Sequence, residues 1–251
     1  MSKHDVVYIL KNDYDTDEIR YSLRSVVMNF PYRKIVFVGG CPKGIRADIV
    51  IPDKQEGYMK ADRAMHSLMV ALQRDDLTED IWLFNDDFFV MDKVREDINY
   101  FNGTLEKRVN DIKSKTGYSS YCRSLDLARG QLAMHNKDSL SFALHVPMLI
   151  NRANALQLFR IFPGLRMFRS LYGNYYEIDC KYMKDVKVLN NETIPDTPFI
   201  STSDASFKSG KVGEFLRQYF NQPCDYEFSE EELIIMKTKE IYDEEGEIRN
   251  E

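Results

Sequence analysis

Within the first 90 residues, short apolar runs alternate with segments whose apolar residues recur at helical spacing. Val6-Val7-Tyr8-Ile9-Leu10, Lys34-Ile35-Val36-Phe37-Val38, Asp48-Ile49-Val50-Ile51 and Ile81-Trp82-Leu83-Phe84 read as strands. Between them, Asp17 to Phe30 sets Ile19, Leu23, Val26, Val27 and Phe30 on one helical face, and Pro31 ends the run. Lys60 to Arg74 repeats the pattern with Ala61, Ala64, Met65, Leu68, Met69 and Leu72. Strands that alternate with helices predict an α/β fold: a mostly parallel sheet flanked by helices. In such a sheet ligands gather at the carboxyl ends of the strands. Asn12, Asp13, Gly39, Gly40, Asp86 and Asp87 fall at those ends.

The last of these strands runs into Asn85-Asp86-Asp87, followed by Phe88-Phe89-Val90. Two ionised carboxylates between apolar runs are costly unless a partner offsets them. Carboxylate oxygens suit a divalent cation such as Mg²⁺ or Mn²⁺. Neighbouring side chains of a strand point to opposite faces, so both aspartates can serve one site only if the strand breaks into a turn here. Asp87 is then the direct metal ligand, with Asp86 meeting a ribose or a metal-bound water. The structural alternative is a solvated turn between two hairpin strands, pinned by Asn85.

The second half is less regular. Leu105, Val109 and Ile112 mark a helix with a basic face; Ala153 to Phe159 and Gly210 to Phe220 also read as helices, and Val186 to Leu189 as a strand. The chain of 251 residues has net charge −6, but residues 225–251 carry 11 acidic against 3 basic side chains, which leaves 1–224 at +2. The expected organisation is one catalytic domain, 1–224, and an acidic tail, 225–251, with a helix from about Glu230 to Tyr242 and frayed residues beyond it. Cys41, Cys122, Cys180 and Cys224 are widely spaced and form no Cys-x-x-Cys, which argues against zinc. They read as reduced thiols of a cytoplasmic protein. No apolar run reaches the length of a membrane span. The start of the chain lacks the apolar core of a secretory leader.

With these elements in order, the chain resembles the GT-A type of glycosyltransferase, in which paired aspartates at a strand end hold a divalent metal on a nucleotide-sugar diphosphate. Several patches are more narrowly similar to the Stealth family of sugar-phosphate transferases. They are Asp5-Val6-Val7-Tyr8, Glu18-Ile19-Arg20-Tyr21-Ser22-Leu23-Arg24-Ser25, Phe84-Asn85-Asp86-Asp87-Phe88-Phe89, His145-Val146-Pro147 and Phe168-Arg169-Ser170. A looser likeness is to small phage-encoded glycosyltransferases. The chain departs from the Stealth pattern after its first strand, with Lys11-Asn12-Asp13 in place of Trp-x-Asp-Gly, and again after Phe168-Arg169-Ser170. The resemblance implies a GT-A-like (Rossmann-like) fold, a nucleoside-diphosphate sugar as donor, a Mn or Mg ion, and transfer of the sugar to an acceptor hydroxyl. Transfer of sugar-1-phosphate is the Stealth alternative. The acceptor is a glycan or, on the phage likeness, a modified nucleobase whose DNA would meet Lys107, Arg108, Lys113, Lys115, Arg123 and Arg129. A non-catalytic binding protein is the remaining alternative.

The other candidate residues follow from what such a transfer requires. Lys60, Asp62 and Arg63 open a helix, where an anion is favoured; Lys11 and Asn12 follow the first strand, where the nucleoside is held. Arg20 and Arg24 could face phosphate or form a solvated helix face. His145, in an apolar run, suits a metal ligand or an acid/base group, and could equally be a hydrogen-bonded core residue; His135 is a weaker candidate of the same sort. Glu177 and Asp179 are carboxylates of the kind that deprotonates an acceptor, beside tyrosines able to stack on a sugar. Ser201 to Gly213 is expected as a polar loop that closes on the diphosphate, with Lys208 and Lys211 supplying charge; it lacks the spacing of a P-loop.

Overall fold

The computed structural model describes residues 3–13, 17–189 and 193–235. Through the first half the elements are β1 (His4–Leu10), α1 (Glu18–Asn29), β2 (Tyr32–Gly39), β3 (Ile49–Ile51), α2 (Lys60–Leu72), β4 (Asp80–Phe84), β5 (Phe88–Val90) and β6 (Asn99–Phe101). There follow α3 (Leu105–Thr116), α4 (Ser120–Met134), β7 (Met148–Asn151), α5 (Arg152–Ile161), α6 (Phe168–Tyr175) and β8 (Cys180–Tyr182). The last are β9 (Lys187–Val188), β10 (Phe199–Thr202), α7 (Asp204–Ser209) and α8 (Lys211–Tyr219). The expected helix at 230 is present over 230–235; its continuation to Tyr242 and the acidic 243–247 lie outside the described residues.

The fold is α/β. The main sheet has the order β3-β2-β1-β4-β7, parallel except for β7, which runs antiparallel to β4. Both faces are apolar, as parallel strands under helices require. On one face Val7, Val36 and Leu83 pack with Leu68 and Leu72 of α2, Leu125 and Leu132 of α4, Leu158 of α5 and Leu171 of α6. On the other, Val6, Tyr8, Phe37 and Phe84 meet Ile19, Leu23, Val26 and Phe30 from α1 and the residue after it. Each such buried Leu, Val or Phe contributes about 1.5–3 kcal/mol.

A second sheet, β5-β10-β9, starts where the first is left. Phe88 N donates to Asn85 O at 3.3 Å, so residues 85–87 form a turn, and β5 then pairs antiparallel with β10 rather than with β4. The turn is therefore a crossing between sheets and not the tip of a hairpin. Helix α1 lies along the outer edge of β5. Ser22 Oγ donates to Phe88 O at 2.6 Å, Val90 N donates to Ser25 Oγ at 2.9 Å, and Asn29 Nδ2 donates to Val90 O at 2.8 Å. The helix thus has two buried stripes, an apolar one toward the main sheet and a polar one, Glu18, Ser22, Ser25 and Asn29, toward the second.

The stretch 201–213, expected as a loop, is the end of β10 followed by α7 and α8. Ser203 caps α7 by accepting from Ser206 N at 3.2 Å. Residues 225–235 rest on the body: Phe228 N donates to Gly44 O at 3.1 Å, and the Arg46 guanidinium covers the Phe228 ring at 4.7 Å. Among the described residues no helix is long and apolar enough to cross a membrane.

Candidate active site

A cavity of about 620 Å³ opens at the carboxyl edge of the main sheet. Lys11 and Asp13 reach it from the end of β1, and Asn85, Asp86 and Asp87 from the end of β4. Because β7 is antiparallel, the residues before it lie at this same edge, which is how Ala143 and His145 join the wall. Glu18 comes from the first turn of α1, Lys60 from the start of α2, Arg169 from α6, and Lys187 and Thr202 from the second sheet.

Asp87 is held from two sides. Ser201 Oγ donates to Asp87 Oδ2 at 2.8 Å, and Lys187 Nζ lies 3.1 Å from the same oxygen. Strand register produces this meeting: Ser201 is opposite Phe88 on β5 and opposite Lys187 on β9. The Arg169 guanidinium sits over the Phe88 ring at 5.3 Å and donates to Leu83 O at 3.5 Å and to Val146 O. Burial pulls it down to about 10, against the pull of Asp87, so it stays a cation at neutral pH. Glu18 is 2% exposed and accepts from Thr202 Oγ1 at 2.8 Å. Burial raises its carboxyl to about 7; the Thr202 bond opposes the rise, and the negative charges of Asp86, Asp87 and Asp204 add to it. His145 Nδ1 is 2.9 Å from Asp185 Oδ1, and Arg108 Nη2 is 3.4 Å from Asp185 Oδ2. Burial works to raise the Asp185 carboxyl, but His145 and Arg108 hold it below its ordinary range. With Nδ1 committed to Asp185, Nε2 is the ring nitrogen left for chemistry in the cavity.

The other candidates divide. Lys11 and Lys60 line the cavity. Asn12 instead ties the end of β1 to the loop before α2: its Nδ2 donates to Asp53 O at 2.9 Å and its N to Gln55 Oε1 at 3.2 Å. Asp62 accepts from Met59 N at 3.3 Å at the entry of α2, and Arg63 Nε donates to Gly57 O at 3.1 Å. Glu177 is exposed and 3.0 Å from Lys137, and Asp179 is exposed; neither lines the cavity. Lys208 and Lys211 are exposed on α7 and α8, outside it as well. His135 packs edge-on against Phe162 and Tyr175 at 5.2 and 5.4 Å. Arg20 and Arg24 face neither phosphate nor solvent alone, since both hold Glu227. Of the basic set on α3 and α4, Arg108 is paired with Asp185, and Arg129 with Glu106 and Asp126.

Among the described residues no three carboxylate, imidazole or thiol groups converge as a cage, so His145 does not complete a three-ligand set with Asp86 and Asp87. A hard divalent ion does not need one: Mg²⁺ is commonly held by one or two carboxylates, with water and substrate phosphate completing its shell. Burial chiefly raises the Glu18 carboxyl, and the charges of Asp86 and Asp87 add to the rise; an ion at those two carboxylates would relieve that repulsion. Asp86 and Asp87 fit that ion. When bound, it would polarise phosphate oxygens as a Lewis acid.

Glu18, Lys187, Arg166 and Asp204 line the cavity without having been singled out for it from sequence. Glu18 had a signal, since an acidic residue heading a helix with Ser22, Ser25 and Asn29 on its own stripe is not a simple solvated face. Lys187 had none, being one charge in an apolar run.

The sequence matches no known family model, and it matches no curated protein. Among solved structures, the chain is similar to the galactosyltransferase LgtC in complex with donor and acceptor sugar analogs. That likeness has 10% identity and a TM-score of 0.47 over 90% of this chain and 98% of that one. The apo-form glycosyltransferase GlyE of Streptococcus pneumoniae TIGR4 is similar at 10% identity and a TM-score of 0.42, over 96% of this chain and 64% of that one. Likenesses this distant carry no functional argument.

Proposed function

We propose that the chain is a GT-A-like, divalent-metal-dependent glycosyltransferase that moves a sugar from a nucleoside-diphosphate sugar to an acceptor hydroxyl. One observation carries this reading. Two carboxylates at a strand end, Asp86 and Asp87, share a 620 Å³ cavity with the cations Lys11, Lys60, Arg169 and Lys187. Carboxylates suit a metal, cations suit a diphosphate, and a cavity of this size at a sheet's carboxyl edge suits a nucleotide-sugar. The cations bind and orient the phosphates. His145, turned by Asp185, takes the acceptor proton at Nε2. Arg169, held in the cavity wall by the Val146 and Leu83 carbonyls, contributes fixed positive charge where charge grows on the leaving phosphate. The acceptor is a glycan or a modified nucleobase.

A donor-hydrolysis screen over nucleotide-sugars with Mg²⁺ and Mn²⁺ tests the proposal. Asp87→Ala is expected to lower hydrolysis at least about 100-fold, the scale of losing a main electrostatic element. Hydrolysis at the parent rate would show that Asp87 holds no metal.

A second reading has its own support. Glu18, Asn85, Asp86, Asp87, His145, Arg169 and Ser170 come from four of the patches that resemble the Stealth family, and all line the one cavity. That convergence favours transfer of sugar-1-phosphate. The product decides between the two: nucleoside diphosphate for sugar transfer, nucleoside monophosphate for sugar-phosphate transfer.

A further inference from the structure

The contact between Lys187 and Asp87 has a fixed half and an exchangeable half. Ser201 is fully buried, and its hydroxyl reaches Asp87 Oδ2 from the middle strand of the second sheet. Lys187 shares that oxygen at 3.1 Å, but its side chain is 27% exposed and lines the cavity. Its flexible stem lets the ammonium leave without disturbing the strand. Asp86, the neighbouring carboxylate, lines the same cavity. A divalent cation at Asp87 would stand within a few ångströms of the ammonium. Two positive charges at such a distance repel appreciably even at an intermediate dielectric. The cation and Lys187 are therefore rivals for one carboxylate. A diphosphate in the same cavity removes the rivalry, because it offers the ammonium a second anionic partner.

We propose that Lys187 is the resident counter-ion of Asp87, which yields the carboxylate to the divalent cation and passes to the diphosphate as the donor enters. Metal and diphosphate then bind as a pair, and the metal alone binds weakly. This rests on the nucleotide-sugar reading above, which counts Lys187 among the phosphate-binding cations, and adds that the same residue governs metal loading.

Titration calorimetry with Mn²⁺ alone, and separately with inorganic pyrophosphate in Mg²⁺, tests the proposal without any turnover. Lys187→Met is expected to bind Mn²⁺ alone about tenfold tighter, since one like charge is gone. The same variant is expected to bind magnesium pyrophosphate about tenfold more weakly, since one charge-assisted contact is lost. Ser201→Ala frees the same oxygen without removing charge and is expected not to tighten Mn²⁺. Lys187→Gln serves if the Met variant does not fold, as judged by its melting transition. The proposal is overturned if the parent chain binds Mn²⁺ and the Lys187 variant binds it no tighter. It is equally overturned if pyrophosphate affinity is unchanged, or if Ser201→Ala tightens Mn²⁺ as much. A parent chain that binds neither probe would remove the metal-dependent reading itself, and this proposal with it.

Discussion

Arg24 grips Glu227 in a two-bond fork, Nε to Oε1 at 2.6 Å and Nη2 to Oε2 at 2.7 Å. Arg20 Nη1 adds a third bond to Oε2 at 2.6 Å, and Cys224 N donates to Oε1 at 3.1 Å. The Glu227 side chain is 5% exposed, and its partners hold the carboxyl below its ordinary range although burial opposes them. The segment around Glu227 is therefore anchored to the helix that carries Glu18. Removing the carboxylate would leave two guanidinium groups facing one another.

Glu227→Ala is expected to destabilise the fold by about 3 kcal/mol, the cost of breaking a buried pair from one side. Urea unfolding checks it, as a lower midpoint at unchanged slope. A midpoint equal to the parent's would mean that the fork adds nothing to stability.

Glu18 gives the fold an unusual dependence on pH. Its carboxyl titrates at about 7 when folded, well above its ordinary value. The folded state keeps the proton after the unfolded state has lost it, so the stability this supplies is complete below about pH 4.5 and lost as pH rises to about 7. Glu18→Gln removes the titration. It is expected to be the more stable chain above pH 7, by up to about 3 kcal/mol, with the advantage gone near pH 4.5. Melting temperatures of both chains across that range provide the check. Parallel curves would place the Glu18 titration elsewhere.

Glu177→Gln and Asp179→Asn are expected to leave donor hydrolysis within about twofold of the parent, as exposed sites away from the chemistry do. Both carboxylates stand outside the cavity, and Glu177 is spent on Lys137. A large loss in either variant, measured in the same donor screen, would bring that segment into the site.

The first four strands and two helices were legible because β1, β2 and β4 are buried on both faces, the edge strand β3 keeps a β-branched run although Val50 is exposed, and each helix shows one apolar stripe. The separate identity of β5 was not, since Phe88-Phe89-Val90 continues the apolar run of β4 and only the turn divides them. Helix α4 was obscured because its buried face, Cys122, Leu125, Ala128 and Leu132, competes with exposed Leu127 and Met134. At the site, Asp86, Asp87 and His145 stood out as charged or titratable groups in apolar surroundings. Lys187 meets Asp87 across 100 positions of sequence and through two strand pairings, which no local pattern records.

The cavity is a seam. The main sheet supplies Asn85 and the ends of β1 and β4, while the second sheet supplies Ser201, Thr202 and Lys187. Each sheet is hydrogen-bonded within itself, and the turn at 85–87 passes between them. Helix α2 and residues 166–170 complete the wall between them. A metal-side carboxylate and its counter-ion thus belong to different stretches of chain that meet only because β10 pairs with both β5 and β9, so a slip in either register would part them.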